Sequence, residues 1–154
     1  MDRTAQLGAS YVYQARTVAT GPGKGTRESL PSSDVRIEYK DSFPPGPPGL
    51  VTADAIELPP GGGGGDPASP AIRVSWSPPL GPDVAGYRVY RSTGEGAFSL
   101  AGQVGAAETT WIDRNVKPGS TYRYSVTAID TATPPNESER SEIVDVADEA
   151  WPGK

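Results

Sequence analysis

The sequence has neither histidine nor cysteine, which removes the usual general base, the commonest metal ligand and the thiolate nucleophile together. Catalysis would need paired carboxylates, a Ser–Lys pair or a metal held by oxygen ligands alone. The carboxylates Asp34, Asp41, Asp83, Glu95, Asp113, Asp130, Glu137 and Glu139 fall mostly in loops and turns. The densest oxygen cluster, Asp130 with Asn136 and Glu137, lacks the alternating ligand spacing and tight glycine turn of a calcium loop, so turn capping is its expected role. The run Gly61–Gly65 is followed by Asp66 and prolines, where a phosphate cradle needs a helix and usually a lysine; it reads as a surface loop. No catalytic, cofactor-binding or metal-ligating residue is assigned, and no cofactor is expected.

The elements that would position any site read as short strands. Nineteen Gly and seventeen Pro lie in turn-like clusters, which fits many strands joined by turns. Tyr122, Tyr124, Val126 and Ala128 alternate with Arg123, Ser125, Thr127 and Ile129, a strand with one core face and one mostly wet face. Setting Tyr11 on Tyr122 also sets Gly8 on Gly119, Tyr13 on Tyr124, Ala15 on Val126 and Val18 on Ile129, an internal repeat. Met1-Asp2-Arg3 then falls on Ile112-Asp113-Arg114, and Val35, Ile37 and Tyr39 read as a final strand like Val144 and Val146. The first copy therefore holds the last two strands of a unit whose second copy is complete. Strands of the second copy are expected at Leu50–Ile56, Ala71–Trp76, Ala85–Ser92, Ala97–Ala101, Thr109–Ile112, Thr121–Asp130 and Ser141–Ala147. Pro44-Pro45-Gly46-Pro47-Pro48-Gly49 forms a stiff linker between the copies.

The Pro-rich entry, Ile72-Arg73-Val74-Ser75-Trp76-Ser77-Pro78-Pro79, Val84-Ala85-Gly86-Tyr87-Arg88-Val89-Tyr90-Arg91, Thr110-Trp111-Ile112-Asp113 and Val116 to Ala128 resemble, in order and spacing, the fibronectin type III family as found in bacterial tandem repeats. The resemblance implies an all-β, seven-stranded immunoglobulin-like sandwich, preceded by a partial sandwich or β-hairpin. It implies a remnant domain at residues 1–43, a complete domain at 44–147 and a tail at 148–154. Ile72, Val74, Trp76, Tyr87, Val89 and Trp111 would point into the core, and Tyr122 after Pro118-Gly119 would form a tyrosine corner with Val116 beside it.

The resemblance implies a non-catalytic spacer or protein-interaction module of a larger extracellular or cell-envelope protein. Two alternatives stand beside it: a self-assembling subunit whose N-terminal strands complete a sandwich with another chain, and an accessory domain of a secreted glycan-active enzyme. Expected partners are protein, from neighbouring domains or another copy, with glycan as a further candidate. A net charge of −5 argues against nucleic acid, and no apolar run is long enough for membrane insertion. Residues 1–6 lack a signal-peptide pattern, so an export signal would lie outside this chain. The candidate interaction surface comprises Tyr11, Tyr13 and Tyr39 on the first copy and Arg88, Tyr90 and Arg123 on the second. The first group would lack a core to pack on; the second would face outward, where an ordinary solvated sheet face is the competing reading.

Overall fold

The computed structural model describes residues 1–23, 25–60, 68–81 and 83–151. The expected glycine loop 61–65 lies outside the described residues. The chain divides into two compact units, Met1–Ser42 and Phe43–Lys154.

In the N-terminal unit, β1 (Ser10–Tyr13) pairs antiparallel with β4 (Val35–Glu38), and between them β2 (Val18–Thr20) pairs with β3 (Thr26–Glu28). Together they make one long, interrupted hairpin. Residues 14–17 lie outside any strand, yet they stay bound to the returning chain. Ser29 and Ser32 donate their N–H groups to the carbonyls of Thr17 and Ala15 at 2.9 and 2.8 Å. The two serine Oγ atoms accept the N–H groups of the same residues at 2.9 and 3.0 Å. A hydroxyl thus replaces the ladder carbonyl, which satisfies the backbone donor but interrupts the regular ladder.

The C-terminal unit is a two-layer sandwich. One sheet has the order β5 (Gly49–Leu58), β6 (Ser69–Ser77), β9 (Thr110–Asp113). The other has the order β11 (Val144–Val146), β10 (Tyr122–Ile129), β7 (Gly86–Thr93), β8 (Ser99–Gly105), and every pairing in both sheets is antiparallel. The core is built from alternate residues of the facing strands: Ile72, Val74 and Trp76 from β6, Tyr87 and Val89 from β7, and Tyr122, Tyr124, Val126 and Ala128 from β10. Trp76 and Tyr87 meet across the layers with ring centroids 5.3 Å apart. Burial of each such side chain contributes roughly 1.5–3 kcal/mol before conformational entropy is counted. Trp111 is half-buried against the same cluster.

Four sequence expectations change. β8 runs to Gly105 rather than stopping near Ala101, because Gly102 lets the strand pass beneath the Trp111 indole; a Cβ at residue 102 would lie 2.5 Å from that ring. The regular part of the last strand is confined to Val144–Val146, because Ser138 and Ser141 repeat the serine device of the N-terminal unit. Their N–H groups bond the carbonyls of Ala128 and Val126, and their Oγ atoms accept the N–H groups of those residues, all at 2.9 Å. The outer face of β10 is not wet: Ser125, Thr127 and Ile129 are buried along with the inward residues. Finally, the stretch expected as a tail holds a 3-10 turn at Asp148–Ala150 and Trp151, which is only 3% exposed. The Trp151 indole meets the Tyr122 ring edge-on at 6.4 Å, and its Nε1 donates to the Ser120 carbonyl at 3.4 Å.

Candidate functional site

The tyrosine corner of the sandwich is built around Asp113, at the end of β9. Pro118-Gly119, with φ of +86° at the glycine, turns the chain so that the Tyr122 hydroxyl accepts the Lys117 N–H at 2.9 Å. A left-handed residue here favours glycine because a Cβ would be strained. Two residues on, the Tyr124 hydroxyl donates to Asp113 Oδ2 at 2.9 Å. Asp113 Oδ1 accepts the Asn115 N–H at 2.9 Å, and Arg91 of β7 donates Nη1 to Oδ2 at 2.8 Å. Burial first, then the Asp113 charge and hydrogen bond, push the Tyr124 phenol far above its ordinary range. The arginine and the tyrosine share one buried carboxylate, which they orient.

The N-terminal unit repeats the backbone and tyrosine bonds of this corner, with a Thr4 hydroxyl added and without the arginine. Gly8 has φ of +83°, the Tyr11 hydroxyl accepts the Gln6 N–H at 2.8 Å, and the Tyr13 hydroxyl donates to Asp2 Oδ2 at 2.9 Å. Asp2 Oδ1 accepts the Thr4 N–H at 2.8 Å and the Thr4 hydroxyl at 2.7 Å. These bonds from Thr4, then Tyr13, hold the Asp2 carboxyl below its ordinary pKa. No strand of the β7 type lies beside β1 among the described residues. The packing shows the same gap. Ile37 opposes Tyr11 as Val146 opposes Tyr122, but Val146 is 1% exposed and Ile37 48%. Tyr11 and Tyr13 are half-buried with ring centroids 6.2 Å apart, and Tyr39, just past β4, is exposed.

On the outer face of the sandwich, Arg88, Tyr90 and Arg123 are half-buried and held within the unit. Arg88 donates to Gln103 Oε1 at 3.1 Å and to Glu137. The Tyr90 hydroxyl and the Thr127 hydroxyl also donate to Glu137, and the Arg140 guanidinium lies 4.5 Å from the Tyr90 ring centroid. Arg123 bonds Ser92 Oγ at 3.3 Å and the Gly96 carbonyl at 3.2 Å, pairs with Glu95 at 3.5 Å and stacks over Phe98. Burial raises the Glu137 pKa, but the bonds from Thr127, Tyr90 and Arg88 outweigh it and hold the carboxyl below its usual range. This covering layer buries the outer residues of β10. Its organiser, Glu137, has no spacing signature, since residues from two strands, β7 and β10, converge on it only in the fold.

Asp130 serves as a turn cap: its carboxylate accepts the N–H groups of Ala132 at 3.0 Å and Asn136 at 2.8 Å, and the Asn136 amide at 2.8 Å. Among the described residues, no group of three or more acidic side chains gathers in a geometry fit for a metal ion. The candidate surface residues Tyr11, Tyr13 and Tyr39 belong to one unit, and Arg88, Tyr90 and Arg123 to the other. The shared Asp–Tyr corner was missed at the sequence level, although Asp2 and Asp113 stand at matching distances before Tyr13 and Tyr124 in the repeat.

Two antiparallel sheets of three and four strands, closed by a tyrosine corner, define an immunoglobulin-like sandwich. The Fibronectin type III domain model matches residues 65–144, more than half of the chain, and the chain belongs to that family. Its first strand, β5, lies ahead of the matched region and pairs along β6. Among solved structures, the chicken CNTN1 FN1-FN3 domains are 21% identical with a TM-score of 0.56, over 94% of this chain and 44% of that one. A twitchin kinase region from C. elegans is 20% identical with a TM-score of 0.52, over 67% and 16%. A beta-1,2-glucanase from Parabacteroides distasonis is 22% identical with a TM-score of 0.51, over 73% and 13%. The chain thus spans less than half the length of each, and the likeness is one of fold. The search of curated proteins gave no match.

Proposed function

We propose that this chain is a non-catalytic spacer and protein-interaction module of a larger extracellular or cell-envelope protein, and that its contact surface is the aromatic face of the N-terminal hairpin. The observation that carries this reading is the contrast between two copies of one hairpin. In the sandwich, Tyr122, Tyr124 and Val146 are buried by a second sheet; in the N-terminal unit, Tyr11, Tyr13, Ile37 and Tyr39 hold corresponding apolar surface without that cover. Exposed apolar and aromatic area of this kind is what protein interfaces use. Arg88, Tyr90 and Arg123 are tied to Glu137, Ser92 and Gly96, which favours a supporting role in the sheet over a free ligand platform.

The test is a screen of the full chain for turnover and binding. Saturable protein binding weakened by Tyr13→Ser or Tyr39→Ser, which leave the sandwich folded, is the expected result. Reproducible turnover that disappears on substitution of a single carboxylate contradicts the reading. Assembly with a second copy is favoured by one feature: among the described residues β1 pairs with β4 alone, and open edges template strand addition. Light scattering that finds a dimer dissociated by edge prolines supports it; a monomer at high concentration argues against it. For a glycan-directed role, a glycan array is the deciding experiment.

A further inference from the structure

We propose that the outer face of the four-stranded sheet, around Arg140, Phe98, Tyr90 and Leu100, docks a protein partner that offers a carboxylate beside an apolar side chain. This surface belongs to the sandwich and is additional to the hairpin face of the interaction-module reading. Its centre is the Arg140 guanidinium, which lies 4.5 Å from the Tyr90 ring centroid and 5.1 Å from that of Phe98. Both rings are half-buried, and the Tyr90 hydroxyl is tied to Glu137. Contact with ring faces holds the planar group in place without using its N–H donors. The other two arginines of this face have theirs engaged: Arg88 by Gln103 and Glu137, and Arg123 by Ser92 and the Gly96 carbonyl. Arg140 is exposed and has neither a hydrogen bond nor an ion pair among the described residues. Glu139 and Glu142 flank it in the chain and are exposed, yet neither pairs with it.

The surroundings favour an incoming carboxylate. Arg123 lies over the same Phe98 ring, 5.5 Å from its centroid. Its only ion pair is with Glu95, 3.5 Å away on a side chain that is 97% exposed, and Asp145, opposite it in the ladder, does not pair with it. Two guanidiniums thus share one ring with a single loosely held counter-charge. The apolar part lies alongside. Leu100 stands opposite Tyr90 in the pairing of β7 with β8, which puts both on one face of the sheet, and it is 55% exposed. A partner carboxylate would take the Arg140 fork through two N–H groups, while its aliphatic neighbour covers Leu100. Arginine and aromatic anchors of this kind dominate binding at protein interfaces, and a guanidinium already held by two rings loses less freedom on binding. A hydroxylated ligand would answer the arginine but leave Leu100 in water, so the surface fits an acidic and apolar protein segment better than an acidic glycan.

The experiment titrates the full chain with the acetylated, amidated tripeptide Leu-Glu-Leu, following the Arg140 Nε–H and Leu100 methyl resonances by NMR. Saturable shifts at both positions are expected. The tripeptide with Gln in place of Glu, and the chain with Arg140→Gln, should each bind about fivefold more weakly, as for the loss of an exposed ion pair. Leu100→Ser should also weaken binding, which a bare ion pair at Arg140 would not show. Both altered side chains are exposed, and an unchanged denaturant midpoint confirms that the sandwich is intact in each variant. The proposal is overturned by absence of saturable shifts, by equal binding of the Gln tripeptide or of Arg140→Gln, by indifference to Leu100→Ser, or by glucuronate binding as tightly as the peptide. The hairpin reading stands or falls separately, on Tyr13→Ser and Tyr39→Ser.

Discussion

Asp113 is 1% exposed, and its oxygens are satisfied there by Arg91, Tyr124 and the Asn115 N–H, which converge on it. Removing the carboxylate leaves the guanidinium and the phenol without their shared acceptor, so Asp113→Ala should lower unfolding free energy by about 3 kcal/mol in urea titrations. Tyr124→Phe removes one bond and should cost about 1–2 kcal/mol. Glu137 makes a pH-dependent contribution. Its pKa in the folded chain lies below the ordinary carboxylate value, so the stability it contributes is present above about pH 4.3 and is lost as pH falls through the lowered folded value. In Glu137→Gln, the difference in stability between neutral and acid pH should therefore be smaller than in the unaltered chain, which thermal melts from neutral pH to pH 3 would measure. Of these residues, only the Tyr122 corner was legible in the sequence, because proline, glycine and tyrosine there are close in the chain. The convergence on Asp113 and Glu137 joins residues distant in sequence, which spacing alone does not reveal.

Strands were legible as elements because period-two alternation survives wherever one face meets a core. Their ends were less so. β8 crosses Gly102, which reads as a turn residue in sequence, because the Trp111 indole occupies the space a side chain would take. Gly102→Ala should force the indole or the strand to move, at a cost of about 1–3 kcal/mol. Ser29 and Ser32 make in the first copy the bonds that Ser138 and Ser141 make in the second, and nothing in the sequence marks them as substitutes for ladder carbonyls. Ser138→Ala leaves the buried Ala128 N–H without its acceptor and should cost about 1–3 kcal/mol, measured by denaturant midpoint. These effects belong to the element: each changes how one strand meets its neighbour without altering the order of strands.

For the whole molecule, the internal repeat carries the account. Matching Tyr11 to Tyr122 foretold a second copy of the last hairpin, and the glycine, tyrosine, aspartate and serine interactions recur in both copies. The sequence did not show that Trp151 completes the sandwich core, because a lone tryptophan near proline and glycine resembles a linker. Trp151→Ala should destabilise the sandwich by about 3 kcal/mol. The central claim is that the sandwich holds its own core while the N-terminal hairpin presents the same strands uncovered. Amide hydrogen exchange on the full chain tests it most directly. The account predicts that amides of β6, β7 and β10 exchange only through global unfolding, while those of residues 10–38 exchange through local opening at far lower free energy. Equal, cooperative protection of the two sets would contradict it.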